Sequence, residues 1–272
     1  MISEIPDVVI KDGEVVAVDL ETYDPGLKKH GSGAILSMSD PSKGFVVGIA
    51  LAYGDKKFYF PLNHEEDTTG YPANYVWRHL NKKIFQNEKV TKVFHNAMYD
   101  VCWIRAVTKK MVKGPIVDTM IAASVIDENR MRYSLDSLAK DYKIGSKNKY
   151  DLEEKALDQH GISDPMSNMH KLPHSLVKDY AEQDVNLTLK LWNIFEKIIK
   201  TPVKTESKNK KTLENIFNLE TSLFPCLVDM RFKGVRIDEK KAETLGKDLK
   251  KRKELIVRGI KKRTGMAVEI WA

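Results

Sequence analysis

Asp19 and Glu21, Asp100, and Tyr180 with Asp184 stand in three short motifs: Asp19-Leu20-Glu21, Asn96-Ala97-Met98-Tyr99-Asp100 and Tyr180-Ala181-Glu182-Gln183-Asp184. Such a set suits the hydrolysis of a phosphodiester. That reaction needs an activated water on one side of phosphorus and a stabilised leaving oxyanion on the other, and two divalent ions roughly 4 Å apart supply both. Hard oxygen ligands select Mg²⁺ or Mn²⁺, which leave part of their coordination shell to water and phosphate. The carboxylates Asp19, Glu21, Asp100 and Asp184 offset most of the charge of two such ions, so they and Tyr180 are candidates for one site.

The elements that must position them can be read locally. Residues 14–21 are rich in valine and lie between Asp12-Gly13 and Asp24-Pro25-Gly26, the pattern of a buried strand with a turn at each end. Residues two apart on a strand share a face, so Asp19 and Glu21 point the same way. From 172 to 200, Leu176, Tyr180, Asp184, Leu187, Leu191, Ile194, Phe195 and Ile198 recur at helical spacing, which makes Tyr180 and Asp184 neighbours on one stripe. A carboxylate on an otherwise apolar face is costly unless paired or bound to metal. Residues 89–94 read as a short strand and 95–107 as a helix with Met98, Val101, Cys102 and Ile104 toward a core, placing Asp100 near that helix's start.

The runs VVAVDLETYDPGL, VFHNAMYD and YAEQDVNLTLKLW together resemble the proofreading 3′ to 5′ exonuclease domain of family A DNA polymerases, most like bacteriophage examples, within the DEDDy exonuclease superfamily. KGFVVGIALA with KFYFPLNH resembles the antiparallel strands after the first motif, and IVDTMIAASVI with YSLDSLAKDY the stretch between the second and third. The resemblance covers residues 14 to about 200 and continues weakly through NLETSLFPCLVDMRFKGVRID, similar to the helical approach to a polymerase domain. It implies an α/β, ribonuclease-H-like mixed sheet flanked by helices, with an α-helical C-terminal extension. It also implies that Asp19, Glu21 and Asp184 hold the metal that activates water, that Asp19 bridges to a second metal, and that Asp100 acts on that second ion mainly through water. Tyr180 then orients the attacking water. Glu21 and Thr22 match positions that contact the terminal 3′ hydroxyl, and Asn96 and Tyr99 match positions that touch the last nucleotides.

Each residue has a simpler competitor. Asp19-x-Glu21 is a common pairing in a chain with 38 acidic residues, although it ends a run of valines here. Asp100 could cap its helix or pair with Arg105, Asp184 could be an exposed helix residue, and Tyr180 alone could be a packing residue. Asp118 could add a fifth carboxylate, but its place before the apolar run from Met120 to Ile126 favours a helix cap. His95 is read as structural, since imidazole has little use in a hard-metal site.

Two cysteines, Cys102 and Cys226, form no metal spacing and no disulfide framework, which suits a reducing compartment. The longest apolar stretch, 45–52, is too short to cross a bilayer, and the N-terminus lacks a signal-peptide core. A cytoplasmic protein, in the host cytoplasm if phage-encoded, is therefore expected. The net charge of +7 is uneven: residues 201–272 carry 18 Lys and Arg against 10 Asp and Glu, and residues 1–200 carry 27 against 28. The basic tail would attract a phosphate backbone, although an ordinary solvated face explains its lysines equally well.

The expected organisation is an exonuclease domain over 1–200, a polar linker over 201–212, and over 213–272 a helical extension, with one helix over 213–232 interrupted near Pro225 and another starting at Asp238. Residues 24–44, with glycines 26, 31, 33 and 44, read as a long flexible surface loop. The Asp-Tyr-Ser-like and His-Asp-Glu motifs of the polymerase domain do not occur, so DNA synthesis is not expected of this chain, which reads as a fragment or as one half of a split polymerase. The expected activity is metal-dependent release of nucleoside 5′-monophosphates from a DNA 3′ end, on single-stranded DNA or a frayed primer, beside a polymerase subunit or domain. The alternatives are an RNA 3′-end trimming exonuclease and a non-catalytic module that binds single strands or a polymerase.

Overall fold

The computed structural model describes residues 8–65, 72–202 and 212–269. The valine-rich run becomes β1 (Val15–Tyr23), followed by the one-turn α1 (Leu27–His30) and the hairpin of β2 (Phe45–Tyr53) and β3 (Lys56–Pro61). Then come α2 (Ala73–Leu80), β4 (Thr91–Phe94), α3 (Ala97–Thr108), β5 (Ile116–Asp118) and α4 (Thr119–Ile126). The helices α5 (Leu135–Asp141), α6 (Lys149–His160), α7 (His174–Lys200), α8 (Glu214–Lys233) and α9 (Glu239–Thr264) complete the chain. The five strands form one mixed sheet in the order β3-β2-β1-β4-β5, with β1 antiparallel to β2 and parallel to β4. This is the ribonuclease-H-like arrangement, with helices on both faces.

The period of β1 assigns its two faces. Ala17 joins Ala50, Ala52 and Val93 in the core that receives Val177, Ala181, Val185 and Leu189 of α7. The alternate residues Val16, Val18 and Leu20 are also buried. Asp19 and Glu21 continue the face of Ala17, so the strand aims them at the helix that carries Tyr180 and Asp184. The β1–β2 register shifts between Glu21 and Thr22, an irregularity that alters side-chain direction where the strand leaves the core. Gly48, opposite Glu21, lies under the Tyr59 ring: a Cβ there would stand 2.1 Å from the Tyr59 hydroxyl. The β1–β4 ladder pairs only Val15, Val16 and Ala17, which frees the β4-side edge of β1 just where the acidic residues begin.

The chain divides into two compact units, Met1–Asp229 and Met230–Ala272. In the first, α8 buries Phe217, Phe224 and Val228, and Phe217 stacks on Trp192 at 5.5 Å between ring centroids. The expected break at Pro225 does not occur, and the helix runs through the proline. Its buried face lies on both sides of Pro225, so packing offsets the missing backbone donor. In the second unit, α9 begins at Asp238, whose carboxylate accepts from Lys241 N, and no α9 side chain is buried. Most of the expected linker, residues 203–211, lies outside the described residues.

The segment 24–44 also differs from the simple surface loop expected. Asp24 accepts a hydrogen bond from Gly33 N at 2.9 Å, Ala34 is buried, and two short 3₁₀ turns follow α1. A carboxylate that satisfies a backbone donor at the far end of a loop gives the loop a fixed closure.

Candidate active site

Asp19, Glu21, Asp100, Tyr180 and Asp184 come together from β1, α3 and α7. Glu21, Asp100, Tyr180 and Asp184 are buried, and Asp19 keeps a partly exposed edge. Asp100 enters through the free edge of β1: its Oδ1 accepts from Leu20 N at 3.0 Å. That backbone donor sits between Asp19 and Glu21, so one hydrogen bond locks the third carboxylate against the first two. The competing pairing of Asp100 with Arg105 is not made, and Arg105 instead reaches Asp229 at 2.5 Å.

Electrostatics mark the group as a unit. Burial, then the charge of Asp184, pushes the Asp19 carboxyl up to about 7. Burial followed by Asp19 and Asp184 raises Glu21 well above the ordinary carboxylate range, and burial followed by Asp19 does the same for Asp100. Asp184 is raised by burial too, with Lys147 and Tyr180 opposing. Burial and the neighbouring Asp184 and Glu21 carry the Tyr180 phenol upward, so it stays protonated and can donate a hydrogen bond. Glu21 Oε1 and Asp184 Oδ1 are buried without a hydrogen-bond partner among the described residues. Buried acceptors are rarely left so, and here both belong to carboxyls that feel one another's charge.

Sequence reasoning missed one member of the site. Lys147, in the loop between α5 and α6, forms an ion pair with Asp184 Oδ2, and its ammonium lies 5.1 Å from the centroid of the Tyr180 ring. Burial works against its charge, yet Asp184 and Tyr180 more than offset this and hold its pKa above the ordinary lysine value. Among the described residues, no three His, Cys, Asp or Glu side chains are gathered as a ready cage for an ion. The lysine stands on one oxygen of a carboxylate that such a cage would use, and the other oxygen is unpartnered.

The residues expected at the nucleotide end separate into two places. Thr22 and Tyr99 share a 2.6 Å hydrogen bond between hydroxyls, and Tyr99 donates to Asp24 Oδ2 at 3.2 Å. They line a cleft of about 360 Å³ with Pro25, Lys28 and Asn168. Burial raises the Tyr99 phenol, which therefore remains neutral. Asn96 is exposed at the start of α3 with φ 70°, a left-handed conformation that asparagine tolerates better than most residues. A larger hollow of about 560 Å³, lined by Phe45, Trp77 and Trp103, has no carboxylate in its wall among the described residues.

Asp118 and His95 take structural positions. Asp118 caps α4 through Met120 N at 2.8 Å and also accepts from Asn96 N at 2.9 Å and Ala97 N at 2.8 Å. His95 Nδ1 lies 2.8 Å from Thr119 Oγ1, and burial followed by the charge of Lys147 pulls its pKa down to about 4.

The family model for the 3′-5′ exonuclease matches residues 7–200. The DNA-directed DNA polymerase of Pseudomonas phage M6 is 31% identical over 227 residues, covering 82% of this chain and 31% of the phage protein. DNA polymerase DpoZ of Acinetobacter phage SH-Ab 15497 is 30% identical over 210 residues, covering 76% of this chain and 30% of that one. The chain thus spans about a third of the length of the curated relatives it matches. Among solved structures, Brucella melitensis NrnC bound to pGG superposes with a TM-score of 0.53 at 17% identity, over 81% of this chain and 85% of NrnC. At that identity the likeness is one of fold. No helix among the described residues is long and apolar enough to cross a membrane.

Proposed function

The chain belongs to the 3′-5′ exonuclease family found in family A DNA polymerases, and from that premise we propose that it removes nucleotides from DNA 3′ ends, releasing nucleoside 5′-monophosphates. One observation carries the reading: Asp19, Glu21, Asp100 and Asp184 are drawn from three separate elements around Tyr180, with two of their buried oxygens left without partners. Such a gathering of buried carboxyls is costly unless they are protonated, paired or bound to a ligand of opposite charge, and the unpartnered oxygens favour a site for such a ligand.

The donor set fits a hard divalent cation, since it consists of oxygens alone and includes the two unpartnered ones. Two Mg²⁺ or Mn²⁺ ions would supply activation of the attacking water and stabilisation of the departing 3′ oxygen. Asp19, Glu21 and Asp184 would hold the first ion, with Asp19 shared, and Asp100 would act on the second mainly through water. Tyr180, kept protonated by its surroundings, orients the water in line with the scissile bond. Glu21 and Thr22 contact the terminal 3′ hydroxyl, while Tyr99 and Asn96 touch the last nucleotides.

DNA as substrate, proofreading as purpose, and a polymerase domain or subunit as partner are supported by the polymerases that the chain resembles. We place the protein in the cytoplasm on the same grounds. The test is cleavage of a 3′-mismatched, 5′-labelled DNA primer with Mg²⁺ or Mn²⁺, beside EDTA and Asp19→Ala controls. A metal-dependent ladder shortening from the 3′ end, absent in the variant, is the expected result. A ladder on an RNA strand of the same sequence but not on DNA would replace the DNA reading with RNA 3′-end trimming. Binding of single strands without any ladder would replace catalysis with a binding role.

A further inference from the structure

Lys147 has no part in the function proposed above, yet it is built into the site. Its backbone N–H donates to Asp136 Oδ1 of α5 at 3.3 Å, and the preceding carbonyl, Ser146 O, accepts from the Gln183 side chain of α7. Gly145, with φ +135°, lies against Leu187, where an added Cβ would come within 3.2 Å of that side chain. The loop is therefore fastened to α5 and α7 at the peptide that leads into the lysine. Its four-carbon stem is the movable part, and the side chain keeps 23% of its surface exposed. Its ammonium sits on Asp184 Oδ2, and Lys147 is the cation whose charge is felt by Asp19, Glu21 and Asp184 together.

We propose that Lys147 is a built-in counter-cation of the carboxylate cluster, holding Asp184 until a divalent ion displaces it. An ammonium on Asp184 Oδ2 and a divalent ion on its unpartnered Oδ1 cannot share that one carboxylate without strong repulsion, so metal uptake and withdrawal of the lysine are one exchange. The lysine lowers the charge stress of the metal-free fold and, by the same contact, opposes metal entry. The partly exposed stem lets the head group swing toward water while the backbone stays fastened. This inference rests on the metal-site reading of the proposed function and concerns how that site is filled.

The two effects of one contact have opposite signs, which separates this role from simple packing. In the full chain, Lys147→Met should bind Mn²⁺ on the order of tenfold more tightly by calorimetry. Its metal-free melting temperature should fall below wild type, and Mn²⁺ should raise it by more than it raises wild type. Lys147→Arg, which keeps the charge, should stay near wild type in both. A folded Lys147→Met that binds Mn²⁺ equally or more weakly, while wild type binds it and Asp19→Asn does not, would overturn this inference and leave the metal site standing. Wild type showing no Asp19-dependent Mn²⁺ binding would overturn both. A measurement on the unaltered side chain covers the case in which Lys147→Met does not fold. Reductive methylation of wild-type Lys147, followed by mass spectrometry, should become severalfold faster when Mg²⁺ is added. An unchanged or slower rate in Mg²⁺ would sink the exchange.

Discussion

Asp118 and Glu21 are both 7% exposed, both lie on strands of the same sheet, and burial raises the pKa of both. They differ in what their oxygens touch. Asp118 accepts three backbone N–H groups, from Asn96, Ala97 and Met120, so each of its oxygens has a partner. Glu21 has an orphaned oxygen and faces Asp19 and Asp184 instead of donors. Burial and a raised pKa do not distinguish a structural carboxylate from a chemical one. The oxygens left unpartnered, and the like charge gathered around them, do.

The strongest way to break that contrast is to neutralise one member of each kind. Asp19→Asn should lower cleavage by at least on the order of 10³-fold, or ~4 kcal/mol in the barrier, since it removes the ligand proposed to serve both ions. The metal-free melting temperature should stay level or rise, because a charge has left a crowded site. Single-turnover cleavage and thermal melts in EDTA check the two halves. Asp118→Ala should do the reverse. Three backbone donors lose their acceptor and α4 loses its cap, costing roughly 3 kcal/mol in urea unfolding, while cleavage per folded molecule stays within severalfold of wild type. If Asp118→Ala instead abolished cleavage with the fold intact, Asp118 would be a fifth member of the site and the contrast would collapse.

The part of this contrast visible in the sequence was the part encoded by period. Asp19 and Glu21 share a face because strands alternate, and Tyr180 and Asp184 do because four residues make about one helical turn. Asp118 could be read as a cap because it directly precedes the apolar run of α4. The stripe of α7 was legible in its middle and blurred at its edges, since Leu176, Ile194 and Ile198 are only partly buried while Val177, Trp192 and Ile199 are buried. Lys147 was not legible. It is one basic residue among 45, in a Gly-Ser-Lys-Asn loop without periodicity, and it reaches Asp184 only because Asp136 and Gln183 fasten that loop. Lys92 hides similarly: a fully buried lysine whose ammonium donates to the carbonyls of Asn87 at 2.9 Å and Val90 at 2.8 Å. Pro225 misled because local propensity argues for a break, whereas Phe217, Phe224 and Val228 anchor the helix on both sides of it.

A smaller effect sharpens the contrast within the site. Tyr180→Phe should slow cleavage by roughly 100-fold, at the low end of what a positioned proton donor contributes. Mn²⁺ affinity should change little, since the phenol is not among the proposed ligands. Equal loss of cleavage and metal binding would mean instead that the ring acts by packing Asp184 in place.

The smallest effect is the most specific. In EDTA the Asp19 carboxyl has its pKa raised from 3.8 to about 7 by burial and by Asp184. Between those values the folded protein keeps a proton that the unfolded chain has released, so this contribution to stability is complete below 3.8 and is lost as pH rises toward 7. Glu21, Asp100 and Asp184 are shifted in the same direction and add to the same slope. His95, drawn down from 6.5 to about 4, has the opposite slope, since its buried neutral form costs stability as pH falls through that window. Subtracting the melts of Asp19→Asn from those of wild type removes the contributions common to both, including that of His95. The difference should show wild type losing stability relative to the variant as pH rises from about 4 to about 7 in EDTA. Saturating Mg²⁺ should shift this dependence to lower pH, because bound ions favour the ionised carboxylate. A flat difference curve in EDTA would mean that Asp19 ionises as freely as an exposed aspartate. Its contrast with a buried, fully hydrogen-bonded carboxylate such as Asp118 would then have to rest on geometry rather than on charge.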